Sequence, residues 1–355
     1  MTRADRLIQA LHMGERQAAL IHNPSNIFYL SGYAGEGLLL IAPAVRAIVT
    51  DFRYTEQAEN QGKGFSVHMT DAGRTQEQVV EGLCGQYGLD ELYYEDETLS
   101  VKAFAKLQAN VPGKRFTPIG GAPERLREIK DEGELALIER ACDITGEAFE
   151  RLLAQIREGV TEKELALMLE YDMLRHGATG LAFSTIVAAG ANGSLPHAVP
   201  GDYAVRAGDM ITFDFGAKVG GYCADMTRTV ALGQPSAEMR RVYGIVQTAQ
   251  QLAQDAVQAG RSCREIDAIA RDYIYQNGYE GRFGHGLGHS LGIDIHEEPR
   301  FNTSSEAVAQ ASQVMTVEPG IYLPGVGGVR IENSVVVLEG GCKPLTKPTR
   351  ELIIL

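Results

Sequence analysis

The sequence predicts two domains, a small α/β domain with a mixed sheet and a larger α+β domain built from a duplicated ααββ unit. Two observations carry this. Helix and strand patterns alternate through the first third of the chain, as one layered α/β domain requires. Beyond that point the chain repeats its own motifs, and a repeat of this size decides the fold. Between them, Pro118-Ile-Gly-Gly-Ala-Pro123 has the glycines and flanking prolines of a linker. The expected boundaries are 1–120 for the first domain, 121–126 for the linker and 127–355 for the second.

A chain of 355 residues, 44% hydrophobic and 22% charged, suits a soluble globular protein of two domains, or of one large domain with an appendage. Its net charge of -13 argues against general nucleic-acid binding, which needs a basic face. The five cysteines are scattered without a CxxC pair, which fits a reduced, cytoplasmic protein better than a disulfide scaffold. The N-terminus MTRADRLIQALHMGERQ is amphipathic and charged rather than a signal sequence. No apolar run is long enough to span a bilayer, so no membrane partner is expected.

In chain order, Thr2 to Leu11 reads as a helix and Ala18–His22 as a strand. NPSNIFYLSGY reads as a turn-rich loop holding Phe28 and Tyr29. Strands at Leu38–Ile41 and Ala47–Thr50 flank Pro43. A helix at Thr55–Gln61 and a strand near Phe65–His68 follow, then helix Gln76–Tyr87, strand Glu91–Glu95 and helix Val101–Gln108. No glycine-rich phosphate loop or catalytic cluster occurs here, and His68, Tyr93 and Tyr94 read as structural.

After the linker, helical pairs at Glu134–Gly180 and Glu238–Gly281 carry the same punctuation. Gly159 matches Gly260, Glu164 matches Glu265, Gly177 matches Gly278 and Gly180 matches Gly281. HAVP (His197–Pro200) matches HEEP (His296–Pro299). GDMITFDFG with GGYCADMTRTV matches SQVMTVEPG with GGVRIENSVVV, so Asp214 corresponds to Glu318 and Asp225 to Glu332. The two sheets are expected to join, with the acids converging at the centre.

Met210 to Val230 reads as a hairpin. With Val219 and Gly220 as its turn, Asp214 faces Asp225 and Thr212 faces Thr227, with Cβ atoms about 4.5–5.5 Å apart. Val219 suits that turn poorly, which leaves a longer one open. Ile211, Phe213, Phe215, Met226 and Val230 form the apolar face. Two opposed acids beside such a face need a compensating positive charge, and a metal ion supplies it. In Gly284-His-Gly-Leu-Gly-His-Ser-Leu-Gly292 the glycines weaken any helix, placing His285 and His289 on a loop or strand end with separable roles. Four carboxylates with a histidine make an oxygen-rich site, large enough for two ions about 3.5–4 Å apart. Mn²⁺, Co²⁺ and Zn²⁺ suit it; Ca²⁺ is disfavoured by a histidine ligand.

The order DFG, D, GHGLGH, HE, VEPG and RIE resembles the pita-bread metallopeptidases of the M24 type: methionine aminopeptidase, aminopeptidase P and prolidase. Residues 1–120 resemble the creatinase-type N-terminal domain of the last two. The resemblance implies Asp214, Asp225, His289, Glu318 and Glu332 as ligands of two divalent ions, with Mn²⁺ favoured. It also implies that Asp225 and Glu332 bridge the ions and that Glu318 handles the proton of the attacking water. His197, His285 and His296 match substrate-binding and intermediate-stabilising histidines, and Arg330 matches an arginine supporting the site by charge. The implied reaction is cleavage of the bond between an N-terminal residue and proline, as an Xaa-Pro aminopeptidase or dipeptidase. Its substrates would be short peptides with proline second, and the protein a homodimer. Phe183, Tyr322 and Leu323 are candidates for a proline pocket. Arg300 reads as a surface ion pair, with a substrate carboxylate as the alternative. Methionine aminopeptidase activity is disfavoured by the N-terminal domain. Creatinase-like and non-catalytic relatives are disfavoured by the intact ligand pattern.

Overall fold

In a computed structural model, which describes residues 1–355, strand Gln17–Ile21 lies inside a six-stranded sheet. It pairs antiparallel with Leu38–Ala42 and parallel with Glu91–Tyr94. Val45–Asp51 and Ser66–Thr70 extend one edge, and Arg115–Pro118 closes the other. The sheet is mixed, as the alternating pattern predicted. Helix Gln76–Tyr87 packs Val79, Val80 and Leu83 onto its strands. These elements belong to one of two compact units, Met1–Arg127, the other being Glu128–Leu355.

Three local readings differ from the structure. NPSNIFYLSGY is a helix, Pro24–Ser31, because its turn-forming residues act as helix caps. Asn23 accepts from the Ser25 N–H, Pro24 occupies the first turn and Gly32 closes the helix at φ 78°. The Glu95 carboxylate accepts from the His22 and Asn23 N–H groups at this N-terminus, a contact no local pattern reveals. Strand Arg115–Pro118 went unread because it has only four residues, none of them buried and with no alternation to register. Helix Ala122–Glu128 runs through the segment read as a linker, and the boundary between the units falls after Arg127.

The second unit carries the repeat. Helices Glu132–Leu153 and Glu162–Arg175 share a core with Ile211, Phe213, Phe215, Met226 and Val230. Helices Ala237–Ala256 and Cys263–Gln276 share a second core with Met315, Val317, Val335 and Val337. Two matched glycine pairs have matched backbones, Gly159 and Gly260 at φ 85° and 83°, Gly177 and Gly278 at 106° and 92°; Gly281 lies at φ 71°, whereas Gly180 begins the strand Gly180–Leu181.

The hairpin register is displaced from the expected one. Asp214 faces Thr227, Thr212 faces Thr229 and Phe215 faces Met226. The turn is Gly220-Gly221, at φ 55° and 89°, because a tight primed turn needs positive φ at both central residues and Val219 cannot supply it. The displacement is an even number of residues, so each side chain keeps its face. Asp225 lies between strands Tyr222–Cys223 and Met226–Ala231 rather than opposite Asp214.

The two half-sheets do not merge into one ladder. They meet where Glu332 N–H donates to Thr227 O (3.1 Å) and Thr229 Oγ1 donates to Arg330 O (2.9 Å).

Candidate metal centre

Asp214 sits near the end of strand Met210–Phe215, on the face opposite the apolar core, and Asp225 immediately precedes the returning strand Met226–Ala231. Glu318 and Glu332 follow strand Val314–Val317 and precede strand Asn333–Leu338. His289 is central in strand Gly288–Ser290. Only glycine fits at 288, since a Cβ there would come 2.0 Å from Thr316 O. That close approach brings His289 beside the acids.

All five expected ligands line one cavity of about 340 Å³, together with His197, His285, His296 and Arg330. Ligand atoms of Asp225, His289 and Glu332 lie within 4.8 Å of one another. His289 Nε2 is 3.6 Å from Asp225 Oδ2 and 3.4 Å from Glu318 Oε1. Its Nδ1 is 3.0 Å from Ser290 O, so a proton on Nδ1 leaves Nε2 free to face the carboxylates. Thr316 Oγ1 donates to Glu318 Oε1 (3.1 Å) and Thr227 Oγ1 to Glu332 Oε2 (2.7 Å). Arg330 Nη2 donates to Asp214 Oδ2 (2.5 Å), and its Nε donates to Thr227 Oγ1 (3.1 Å).

The donors fit a cation. Asp214 Oδ1, Asp225 Oδ1 and Glu332 Oε1 are buried without a hydrogen-bond partner. Leaving such atoms bare is costly unless a positive ion meets them. Burial, then the charge of Glu332, pushes the Asp225 carboxyl well above its usual range. Burial, then Glu318 and Asp214, does the same to Glu332. Glu318 is pushed up to about 8 by burial, with Arg330 opposing and Asp214 adding. His289 is pushed down to about 3 by burial with His296 beside it, so its ring is neutral as ligation requires. A divalent ion reverses the carboxylate shifts.

Of the remaining residues, His285 Nδ1 contacts Gly286 O and its Nε2 contacts the Tyr322 hydroxyl, both at 2.8 Å. Burial, then Arg330, pushes its pKa down to about 4. Tyr322, a pocket candidate, accepts from Arg330 Nη1 (2.9 Å) and so links Arg330 to His285. Phe183 lines the cavity, whereas Leu323 packs against the second core. Arg300 makes the expected ion pair with Glu298 (3.0 Å) and also lines the cavity, opposite His289 in the strand register. Sequence reading missed Thr227 and Thr316. Their signal was a threonine two positions from an acid, Thr227 from Asp225 and Thr316 from Glu318.

A duplicated α+β unit with converging carboxylates and a histidine defines a metal-dependent hydrolase. The model of metallopeptidase family M24 matches residues 136–339, and that of the creatinase/prolidase N-terminal domain matches residues 3–129. The chain belongs to metallopeptidase family M24, with the pita-bread fold behind a creatinase-type N-terminal domain. It is 35% identical to an Xaa-Pro dipeptidase of Pyrococcus furiosus, over 99% of each chain. It superposes on an Xaa-Pro dipeptidase from Bacillus anthracis at a TM-score of 0.95, with 38% identity and 99% of each chain covered. An X-Pro aminopeptidase from Thermotoga maritima gives a TM-score of 0.92 at 38% identity, covering 99% of this chain and 100% of that one.

Proposed function

We propose that this enzyme is a two-metal exopeptidase that cleaves the bond between an N-terminal residue and a following proline. The observation that carries the reading is the set of bare carboxylate oxygens on Asp214, Asp225 and Glu332, gathered with His289 and Glu318 in one cavity. Asp214, Asp225, His289, Glu318 and Glu332 would hold two divalent ions, with Asp225 and Glu332 as the ligands common to both and Mn²⁺ favoured over Co²⁺ and Zn²⁺. When bound, such ions polarise a carbonyl and make water nucleophilic at neutral pH.

Glu318, held by the Thr316 hydroxyl and 3.4 Å from His289 Nε2, takes and returns the proton of the attacking water. His197 and His296 line the cavity and hold the substrate carbonyl as negative charge develops on its oxygen. His285 acts beside them, oriented by Tyr322 and through it by Arg330. Phe183 presents an apolar wall suited to a proline ring, and the names of the relatives support that specificity. Short peptides are the substrates, and a cytoplasmic homodimer is the working form in this reading.

The length preference turns on Arg300. Its ion pair with Glu298 is solvent-exposed and therefore weak, so the guanidinium is free to meet the carboxylate of a dipeptide. Dipeptidase is thus the first reading and aminopeptidase the second.

The test is an assay of metal-free protein restored with Mn²⁺, Co²⁺ or Zn²⁺ on Xaa-Pro dipeptides, Xaa-Pro-Yaa peptides and Met-Ala-Ser. Cleavage of dipeptides alone identifies a prolidase, and cleavage of the longer Xaa-Pro peptides an aminopeptidase. Cleavage of Met-Ala-Ser alone identifies methionine aminopeptidase activity. No metal-dependent cleavage sinks the peptidase reading in favour of a creatinase-like or non-catalytic role.

A further inference from the structure

Arg228 lies where three parts of the second unit meet. It belongs to strand Met226–Ala231 of the first repeat, against the Glu332 segment of the second and the last stretch of chain. Its side chain is 2% exposed. Arg228 Nη1 donates to Thr227 O (2.9 Å) and to Glu332 O. Its Nη2 donates to Asn333 Oδ1 (2.8 Å) and Pro348 O (2.7 Å), and Nε to Thr349 O (2.9 Å). The five N–H donors of a guanidinium are thereby used, with no carboxylate among the acceptors. A buried cation normally needs an opposite charge. Here a cradle of carbonyl and amide oxygens replaces it, and that cradle comes from separate parts of the chain.

The last residues continue the tie. Thr346 Oγ1 accepts from Ser334 N–H (2.9 Å), and Ser334 Oγ donates to Asp225 O (2.8 Å). Ala231 N–H donates to Ile353 O, and Leu355 N–H donates back to Ala231 O, both at 2.9 Å. Two of these contacts reach the backbone of the expected ligands, Arg228 donating to Glu332 O of one repeat and Ser334 Oγ to Asp225 O of the other. They also fix Thr227, whose hydroxyl holds Glu332 Oε2. A tie serving the fold alone could cross the repeats anywhere; this one crosses beneath the acids.

We infer that Arg228 and the C-terminal strap Thr346–Leu355 form a clasp that sets the spacing of Asp225 and Glu332, and through it the affinity for divalent ions. The inference rests on the reading of those acids as ligands. Arg228 touches neither substrate nor ion; it is a positioning residue. Partners that orient metal ligands typically cost about 10–100-fold in metal affinity when removed.

The experiment is equilibrium dialysis of Mn²⁺ against metal-free, full-length protein, well below its melting temperature, with folding checked by circular dichroism. Arg228→Lys keeps the charge but loses the rigid fork. Its Mn²⁺ affinity is expected to fall about 10–100-fold in the folded protein. Thr346→Val removes only the acceptor of the Ser334 N–H and is expected to give a smaller loss in the same direction. Wild-type affinity in folded Arg228→Lys overturns the clasp, even if that variant melts earlier, since a purely structural tie lowers melting alone. If Arg228→Lys does not fold, Thr346→Val decides, and unchanged affinity there overturns it. Wild-type protein that binds no Mn²⁺ overturns the reading of the site itself, and the clasp with it.

Discussion

Glu332 has one carboxylate oxygen held by Thr227 and the other bare, and Asp225 beside it has a bare oxygen too. Bare oxygens gathered on neighbouring acids are costly, and a cation between them offsets that cost. Asp225→Asn removes one donor and one of the mutually repelling charges while keeping the side-chain shape. Its kcat/KM on an Xaa-Pro dipeptide with excess Mn²⁺ should fall by more than about 100-fold, beyond the usual cost of losing an outer partner. In chelator, its melting temperature should be no lower than that of the wild type, because repulsion with Glu332 is relieved. A metal-free variant that melts well below the wild type would show instead that Asp225 holds the fold.

At the scale of elements, two turns carry separate tests. The Gly220-Gly221 turn sets the hairpin register that places Asp214 opposite Thr227. Gly221→Ala forces a Cβ into left-handed backbone at φ 89° and should cost about 1–2 kcal/mol, read by urea unfolding. The other lies before helix Pro24–Ser31, where burial pushes His22 down to about 4 and its Nδ1 has no partner. The unfolded histidine titrates near 6.5, so between that pH and about 4 the unfolded chain binds the extra proton. Stability is therefore lost as pH falls through this window, by roughly 1–3 kcal/mol, and is unaffected by this group above it. His22→Gln should flatten that slope. Glu95, raised by burial, contributes with the opposite sign in both proteins, so the difference between them isolates His22.

At the scale of the molecule, the centre is assembled from both repeats, so an ion bound there stabilises the whole second unit. At a free concentration about 100 times Kd, Mn²⁺ should add about 2.7 kcal/mol, seen as a higher melting temperature that a chelator abolishes. A melting temperature insensitive to both would rule out a folding-linked metal site at this cavity.

Much of this was legible in the sequence because it is periodic or repeated. Alternation places Ile211, Phe213 and Phe215 on one face and Asp214 on the other, and even a displaced register keeps those faces. The repeat pairs Asp214 with Glu318 and Asp225 with Glu332 without coordinates. Caps were harder: NPSN reads as part of a turn-rich loop, and Glu95, far along the chain, supplies the anion at what is a helix N-terminus. The tertiary structure alone decided which oxygens stay bare, that Tyr322 joins Arg330 to His285, and that Arg228 is buried without an acid. The physical reason is range. Side-chain periodicity acts within one strand or helix, whereas burial, charge and hydrogen bonding at this centre join residues about 100 positions apart, as Thr227 and Glu332 are.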